Sequence, residues 1–206
     1  MTRFVVAGTD TDVGKTVFAA ALAAALGAAY WKPVQAGLED GGDAATATRL
    51  GVRPERILPE AYRLQTPCSP HRAAEIDRVV IDPASLDPPG AEGAMVIESA
   101  GGVLVPLTRE TTFSDVFARW RLPVILVART TLGTINHSLL SLEALRRRGV
   151  PIHGVAFNGD PVEDSEATIA ALGGVRRLGR LPRLDPLDAT SLREAFAAAF
   201  DLEAFR

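Results

Sequence analysis

The sequence predicts an α/β protein in which a mostly parallel β-sheet carries helices on both faces. Three observations lead there. Short apolar runs alternate with stretches of helical pattern, the order in which crossover units build a parallel sheet. The runs are continuous in Val, Ile and Leu rather than alternating with polar residues, so their strands are buried on both sides. The first run stops at Gly8, and a short polar loop re-enters a helix through Gly14-Lys15-Thr16.

In chain order, Arg3–Ala7 is an apolar strand, and after the loop Thr16–Leu26 is an alanine-rich helix. Ala28–Trp31 is a short strand that runs into Lys32, with Pro33 locking the exit. Ala44–Leu50 is helical and opens after Gly41-Gly42. Thr66-Pro67-Cys68-Ser69-Pro70 reads as a turn, and Asp82–Gly93, around Asp87-Pro88-Pro89-Gly90, as a loop. Ala94–Glu98 is the next buried strand. Helix Phe113–Trp120, strand Pro123–Arg129, helix His137–Arg148, strand Ile152–Asn158, helix Ser165–Leu172 and strand Arg176–Leu181 continue the alternation. The last helix, Ser191–Phe200, places Leu192, Phe196 and Phe200 at i, i+4 and i+8, a core-facing stripe. No internal repeat is visible. With 206 residues and 47% hydrophobic content, residues 1–206 are expected to form a single domain around one full core.

Composition excludes several function classes. A net charge of −3 leaves no electrostatic footprint for nucleic acid or an anionic membrane. No apolar run reaches membrane-spanning length, and strand one begins too early to leave room for a signal peptide. A cytoplasmic protein is expected. Cys68 is the only cysteine, so neither an intrachain disulfide nor a cysteine-based metal site is available. Cys68 and nearby His71 are not expected to act as a nucleophile pair, given the turn that holds them.

The loop from Gly8 to Thr16 has the makings of a phosphate cradle. Its backbone N–H groups and those of the first helical turn converge on one place, where the helix dipole also favours negative charge. Lys15 adds a point charge, and Thr16 a hydroxyl for Mg²⁺. This is the pattern of a P-loop NTPase fold, although the first glycine, Gly8, stands one residue earlier than the strict motif asks. Residue usage singles out the same places. Of the 22 basic residues, 20 are Arg, and only Lys15 and Lys32 are Lys. Arg is a planar fork, whereas Lys is a compact ammonium that fits between phosphate oxygens and a reacting atom. Asparagine is as sparse, at Asn136 and Asn158.

In parallel α/β sheets, ligands gather at the carboxyl ends of the strands. Lys15, Lys32, Glu98, Asn158 and Pro182 all follow or end strands, so they should line one rim. Glu98, followed by Ser99-Ala100-Gly101-Gly102, suits the strand-end acid that holds Mg²⁺ or its water in P-loop proteins. Asp43 fits either a metal ligand or a plain N-cap. Gly133-Thr134-Ile135-Asn136 looks like a further helix N-terminus suited to a carboxylate, with His137 packed or capping rather than catalytic.

With these pieces placed, the sequence closely resembles the dethiobiotin synthetases. The matching segments are Gly8–Thr16, Lys32–Val34, Ser69–His71, Glu98–Gly102, Pro123–Val127, Leu132–His137 and Leu178–Pro182, nearly end to end and in order. The resemblance implies an ATP- and Mg²⁺-dependent ligase that closes a ureido ring from 7,8-diaminopelargonate and CO₂, working as a homodimer. By position, Thr16, Asp43 and Glu98 would hold Mg²⁺, while Asp12, Val13, Gly14, Lys15, Thr16 and Val17 would hold the phosphates. Ser99, Ala100 and Gly101 would complete the nucleotide site beside Glu98. Asn158 and Gly159, with Pro182, Arg183 and Leu184, would contact the adenine. Thr11, Lys15 and Lys32 would meet the diamine and carbamate, with Ala36 beside them. Gly133, Thr134, Ile135 and Asn136 would receive the substrate's carboxylate from across the dimer interface.

Three departures from that family stand out. Ala36 lacks a hydroxyl often present there, Ser99 replaces a glycine, and Asp12 is one methylene shorter than glutamate. Two rival readings fit less well. Partition- or septum-positioning ATPases carry an extra lysine near the start of the loop, where this chain has Thr9 and Asp10; their membrane-binding versions end in a basic amphipathic helix, where Ser191–Arg206 carries a net −1. An amidotransferase-type synthetase would need a glutaminase domain, which is not expected in a chain that stops at Arg206.

Overall fold

The computed structural model describes residues 2–38 and 41–206. Its centre is a seven-stranded sheet formed by β1 (Arg3–Gly8), β2 (Ala29–Trp31), β4 (Ile57–Leu58), β6 (Met95–Gly102), β7 (Val124–Arg129), β8 (Ile152–Asn158) and β9 (Arg177–Leu181). The spatial order is β4-β2-β6-β1-β7-β8-β9, and every ladder in it is parallel. A second, two-stranded parallel pair joins β3 (Val34–Ala36) to β5 (Tyr62–Leu64).

Burial on both faces is visible within single strands. Along β1, Val5 and Ala7 enter one apolar layer, while Phe4 and Val6 enter the other. Alternate residues of a strand point to opposite faces, so an unbroken apolar run is what such a strand needs. The first layer is closed by α3 (Pro70–Asp77), α4 (Phe113–Trp120), α5 (Thr134–Arg147) and α6 (Glu163–Gly173), through residues such as Ala74, Phe117, Leu142 and Ile169. The second is closed by α1 (Lys15–Leu26), α2 (Gly42–Arg49) and α7 (Ala189–Ala199), through Phe18, Leu22, Ala47 and Phe196. The stripe Leu192, Phe196 and Phe200 is buried, and Phe196 stacks on Phe200 with ring centroids 4.6 Å apart.

The differences from the sequence expectations are local. Strand β6 runs four residues beyond Glu98, because the small residues Ser99 to Gly102 continue alongside β1. Helix α5 begins at Thr134 rather than at His137, with Gly133 as its left-handed N-cap. The elements β3, β4, β5 and α3 are additions. The strands among them have two or three residues each, too short to show a period. The loop Asp82–Gly93 is irregular as expected, tied down by Arg119 and the indole of Trp120, both donating to the Leu86 carbonyl.

Candidate active site

The order of the sheet brings β1 and β6 side by side, and with them the P-loop and Glu98, 82 residues apart in sequence from Thr16. The loop depends on its glycines. A side chain at Gly8 would meet the Asp10 carbonyl and Lys15 at 2.8 Å, which explains a glycine there despite the shifted motif. Gly14 has φ +84°, the left-handed region that favours glycine, and caps α1. A cavity of about 680 Å³ opens over the loop, bounded by Thr11, Lys15, Thr16, Lys32, Asp43 and Glu98.

At its floor Glu98 is fully buried, at 0% exposure. Its Oε1 accepts from Thr16 Oγ1 at 2.8 Å and from Lys32 Nζ at 2.9 Å, and its Oε2 accepts from the Tyr30 hydroxyl at 2.7 Å. Lys32 Nζ also lies 2.5 Å from Asp43 Oδ2 and donates to the Ser99 carbonyl at 3.1 Å. Lys15 Nζ donates to the Asp10 carbonyl at 2.8 Å. Two ammonium groups and two carboxylates thus balance in one cluster, buried except at the half-exposed Asp43.

The pKa shifts follow from this arrangement. Burial pushes Lys15 below its ordinary value, and the Lys32 charge adds to the effect. Burial would lower Lys32 as well, but Glu98 and then Asp43 outweigh it and hold Lys32 above the ordinary lysine range. For Asp43, burial would raise the carboxyl, but Lys32 outweighs it and holds it low. Tyr30 is pushed well above the phenol range by burial and by Glu98, so it remains a donor.

Thr16, Asp43 and Glu98 present only oxygen ligands, the type a hard divalent cation such as Mg²⁺ takes. The two carboxylates already share the Lys32 ammonium, so the place is built to hold positive charge. Among the described residues no cluster of three or more His, Cys, Asp or Glu forms a metal cage. Mg²⁺ is usually held by one or two carboxylates together with water and phosphate oxygens.

A second cavity, of about 390 Å³, adjoins the first across Asp12, Gly14 and Val17. Asn158, Gly159, Pro182, Arg183 and Leu184 line it, all of them expected there. Asn158 Nδ2 donates to the carbonyls of Val13 and Gly14 at 2.8 and 3.0 Å, bracing the P-loop against the tip of β8. Its Oδ1 is buried and unpartnered.

The rim therefore gathers Lys15, Lys32 and Glu98 in one cavity and Asn158 and Pro182 in its neighbour. Asp43 lies in the first turn of α2, whose N-cap is Gly41, so the capping reading fails, and its carboxylate instead pairs with Lys32 at the cavity. Ala36, Ala100 and Gly101 line the first cavity, whereas Ser99 is 1% exposed with an unpartnered Oγ and contributes its carbonyl to Lys32. The segment Gly133–Asn136 does not line either cavity of its own chain. His137, expected to pack or cap, is an exposed residue of the first turn of α5. Cys68 lines the edge of the first cavity, with Sγ 3.7 Å from the Ser69 carbonyl. Two contributors went unrecognised in the sequence. Tyr30 is one, although a tyrosine in an otherwise apolar buried strand calls for a hydroxyl partner. Gln35 is the other: its Oε1 accepts from the Asp43 N–H and its Nε2 donates to the Gly37 carbonyl, which fixes the entry to α2.

Comparison with known proteins agrees with this geometry. The model of a family described as "AAA domain" matches residues 2–191. Over all 206 residues and the whole of its relative, the chain is 66% identical to a protein of Novosphingobium aromaticivorans named ATP-dependent dethiobiotin synthetase BioD. A protein of the same name from Rhizorhabdus wittichii is 66% identical, covering 100% of this chain and 99% of that one. Among solved structures, the MinC:MinD cell division protein complex of Aquifex aeolicus superposes with a TM-score of 0.57 at 15% identity, covering 95% of this chain and 86% of that one, a likeness of fold alone. Full-length identity at this level, on top of a P-loop facing a buried acid, makes the chain a member of the dethiobiotin synthetase family of ATP-dependent ligases.

Proposed function

We propose that residues 1–206 act as one ligase unit, in the cytoplasm, closing the ureido ring of dethiobiotin from 7,8-diaminopelargonate and CO₂ with Mg²⁺ and ATP. The observation that carries this reading is the juxtaposition of Lys15, Lys32, Thr16 and Glu98 in a single cavity contiguous with a second one suited to a base. The unpartnered Asn158 Oδ1 supports adenine, whose exocyclic amine is a donor. Thr16, Asp43 and Glu98 would hold Mg²⁺, which bridges phosphate oxygens and neutralises charge during transfer.

An alkyl amine with a lysine-like pKa near ~10.4 is only about 0.04% neutral at pH 7, and only the neutral amine attacks CO₂. Lys15 and Lys32 disfavour a further cation beside them and so promote that neutral form. The carbamate oxygen then displaces ADP from the γ-phosphorus, and Lys15, with the N–H groups of Asp12–Val17, would hold the transferring phosphoryl. The second amine attacks the carbamate carbon, phosphate leaves, and the amine's protons pass to solvent. Ring closure is intramolecular, which is worth on the order of 7–11 kcal/mol. Thr11 and Lys32 would position the diamine, with backbone near Ala36 taking over the hydrogen bond its methyl cannot make.

The substrate's carboxylate would reach the α5 start of a second subunit. The Thr134 and His137 N–H groups are used by the Thr131 and Gly133 carbonyls, which leaves those of Ile135 and Asn136 for a ligand. The exposed Leu104, Leu132 and Leu140 near this end of α5 support a homodimer. The test is fixation of ¹⁴CO₂ into acid-stable product with and without the diamine. ATP should be consumed only when diamine and CO₂ are both present. Strong diamine-independent ATPase, stimulated by DNA or lipid, would overturn the assignment.

A further inference from the structure

The two oxygens of Glu98 have separate neighbours. Oε1 faces Thr16 Oγ1 and Lys32 Nζ, at the edge of the cavity, whereas Oε2 is turned away and takes the Tyr30 hydroxyl at 2.7 Å. Tyr30 pairs with Val96 across the β2–β6 ladder, two residues before Glu98, so the phenol and the carboxylate lie on the same face of the sheet. Both side chains are at 0% exposure, and no bulk water reaches Oε2 in place of the phenol. A phenylalanine would fill the same volume. The hydroxyl is what the site uses.

We infer that Tyr30 is a positioning residue that locks Glu98 as a one-oxygen ligand and so favours Mg²⁺ over larger divalent cations at the nucleotide site. The inference rests on the assignment of Glu98 to the metal. Mg²⁺ demands a near-ideal octahedron of oxygens at short distance, and a single carboxylate oxygen fits it. Ca²⁺ takes six to eight oxygens and accepts a carboxylate through both. With Oε2 turned away from the cavity and held there by the phenol, the carboxylate is kept from rotating into the two-oxygen mode. Releasing Oε2 opens it.

The test compares wild type, Tyr30→Phe and Glu98→Gln for binding of a non-hydrolysable ATP analogue in EDTA, in Mg²⁺ and in Ca²⁺, followed by calorimetry without diamine. Tyr30→Phe should bind the metal-free analogue within about twofold of wild type, since the P-loop does not touch the hydroxyl. Its Mg²⁺ enhancement should fall about tenfold, the scale of one hydrogen bond to a charged group. Its Ca²⁺ enhancement should fall less, so that the Mg²⁺-to-Ca²⁺ ratio drops. If that ratio is unchanged while Glu98→Gln loses its Mg²⁺ enhancement, Tyr30 has no part in metal selection and Glu98 keeps its role. If Glu98→Gln retains the full enhancement, the metal assignment and this inference fall together. Metal-free binding weakened tenfold in Tyr30→Phe would mean general distortion and also overturn it.

Discussion

Replacing Lys32 with methionine keeps most of the side-chain volume and removes the one charge that Asp43 and Glu98 share. In the metal-free protein the two carboxylates would then face each other, with Glu98 fully buried. The loss is capped by the alternative open to them: one carboxylate takes up a proton. For an ordinary carboxyl near ~4.3, neutralisation at pH 7 costs about 1.4 kcal/mol per pH unit, or about 3.7 kcal/mol in all. That agrees with the ~3–5 kcal/mol for breaking a buried ion pair. At roughly 2–4 °C per kcal/mol for a chain of this size, Lys32→Met should melt about 7–15 °C below wild type at pH 7 in EDTA. At pH 5 the deficit should shrink to about 1 kcal/mol, or roughly 2–4 °C, because the folded variant holds a proton that the unfolded chain has lost.

In wild type, Asp43 and Lys32 add no such slope between those limits. Asp43 is held below its ordinary value, so its stabilisation is complete above pH ~4 and is lost as pH falls through the lower folded value. Lys32 is held above its ordinary value, so its contribution is complete below pH ~10 and is lost as pH rises past the folded value. Thermal melts of both proteins at pH 5, 6 and 7 make the comparison. Equal melting deficits at all three would refute the view that the Lys32 ammonium neutralises this pair in solution.

Lys15→Arg and Lys32→Arg should each lower turnover in the ¹⁴CO₂ assay by at least tenfold, since a planar fork cannot take the place of a compact ammonium; near wild-type turnover in Lys32→Arg would remove it from the reacting group. Gly14→Ala places a methyl 2.3 Å from Asn158 Nδ2 at a φ of +84°, so it should weaken ATP binding by tenfold or more, read by nucleotide titration, with a folded circular-dichroism spectrum. Glu166 is 1% exposed and pairs with Arg177 and Arg180, whose side chains reach solvent; Glu166→Ala should cost about 1–3 kcal/mol in urea unfolding, the scale of hydrogen bonds to a charged group, because water takes over the freed guanidinium groups. Mixing inactive Lys15→Ala with an inactive variant disrupted at Gly133–Asn136 should restore about a quarter of wild-type activity, because half the dimers are mixed and each has one complete site. No recovery after verified subunit exchange would place the carboxylate site within one subunit.

The sequence made the nucleotide loop, Glu98 and Lys32 legible for distinct reasons. A phosphate cradle is local, so its residues are contiguous from Gly8 to Thr16. Lys15 and Lys32 stand out because every other basic residue is arginine. Strands buried on both faces leave continuous apolar runs, whose ends match the strands to within a few residues, whereas three-residue β3 and β5 form only because each supplies the other's hydrogen bonds. Tyr30 was invisible as a site residue because its role depends on the register of β2 against β6, which no local pattern encodes. Asp43 is ambiguous for a similar reason: a carboxylate after two glycines caps a helix or turns toward a metal site according to where Lys32 and Glu98 end up.

Asn158 braces the P-loop through hydrogen bonds that span 144 and 145 residues of chain. During synthesis the loop therefore leaves the ribosome long before its brace. At ~5–20 residues per second, the stretch from Thr16 to Asn158 takes roughly 7–28 s to make. Over that interval a nascent chain carries the whole phosphate motif without the strand tip that holds it in shape. The braced form of the loop therefore exists only once the tip of the eighth strand is in place beside it.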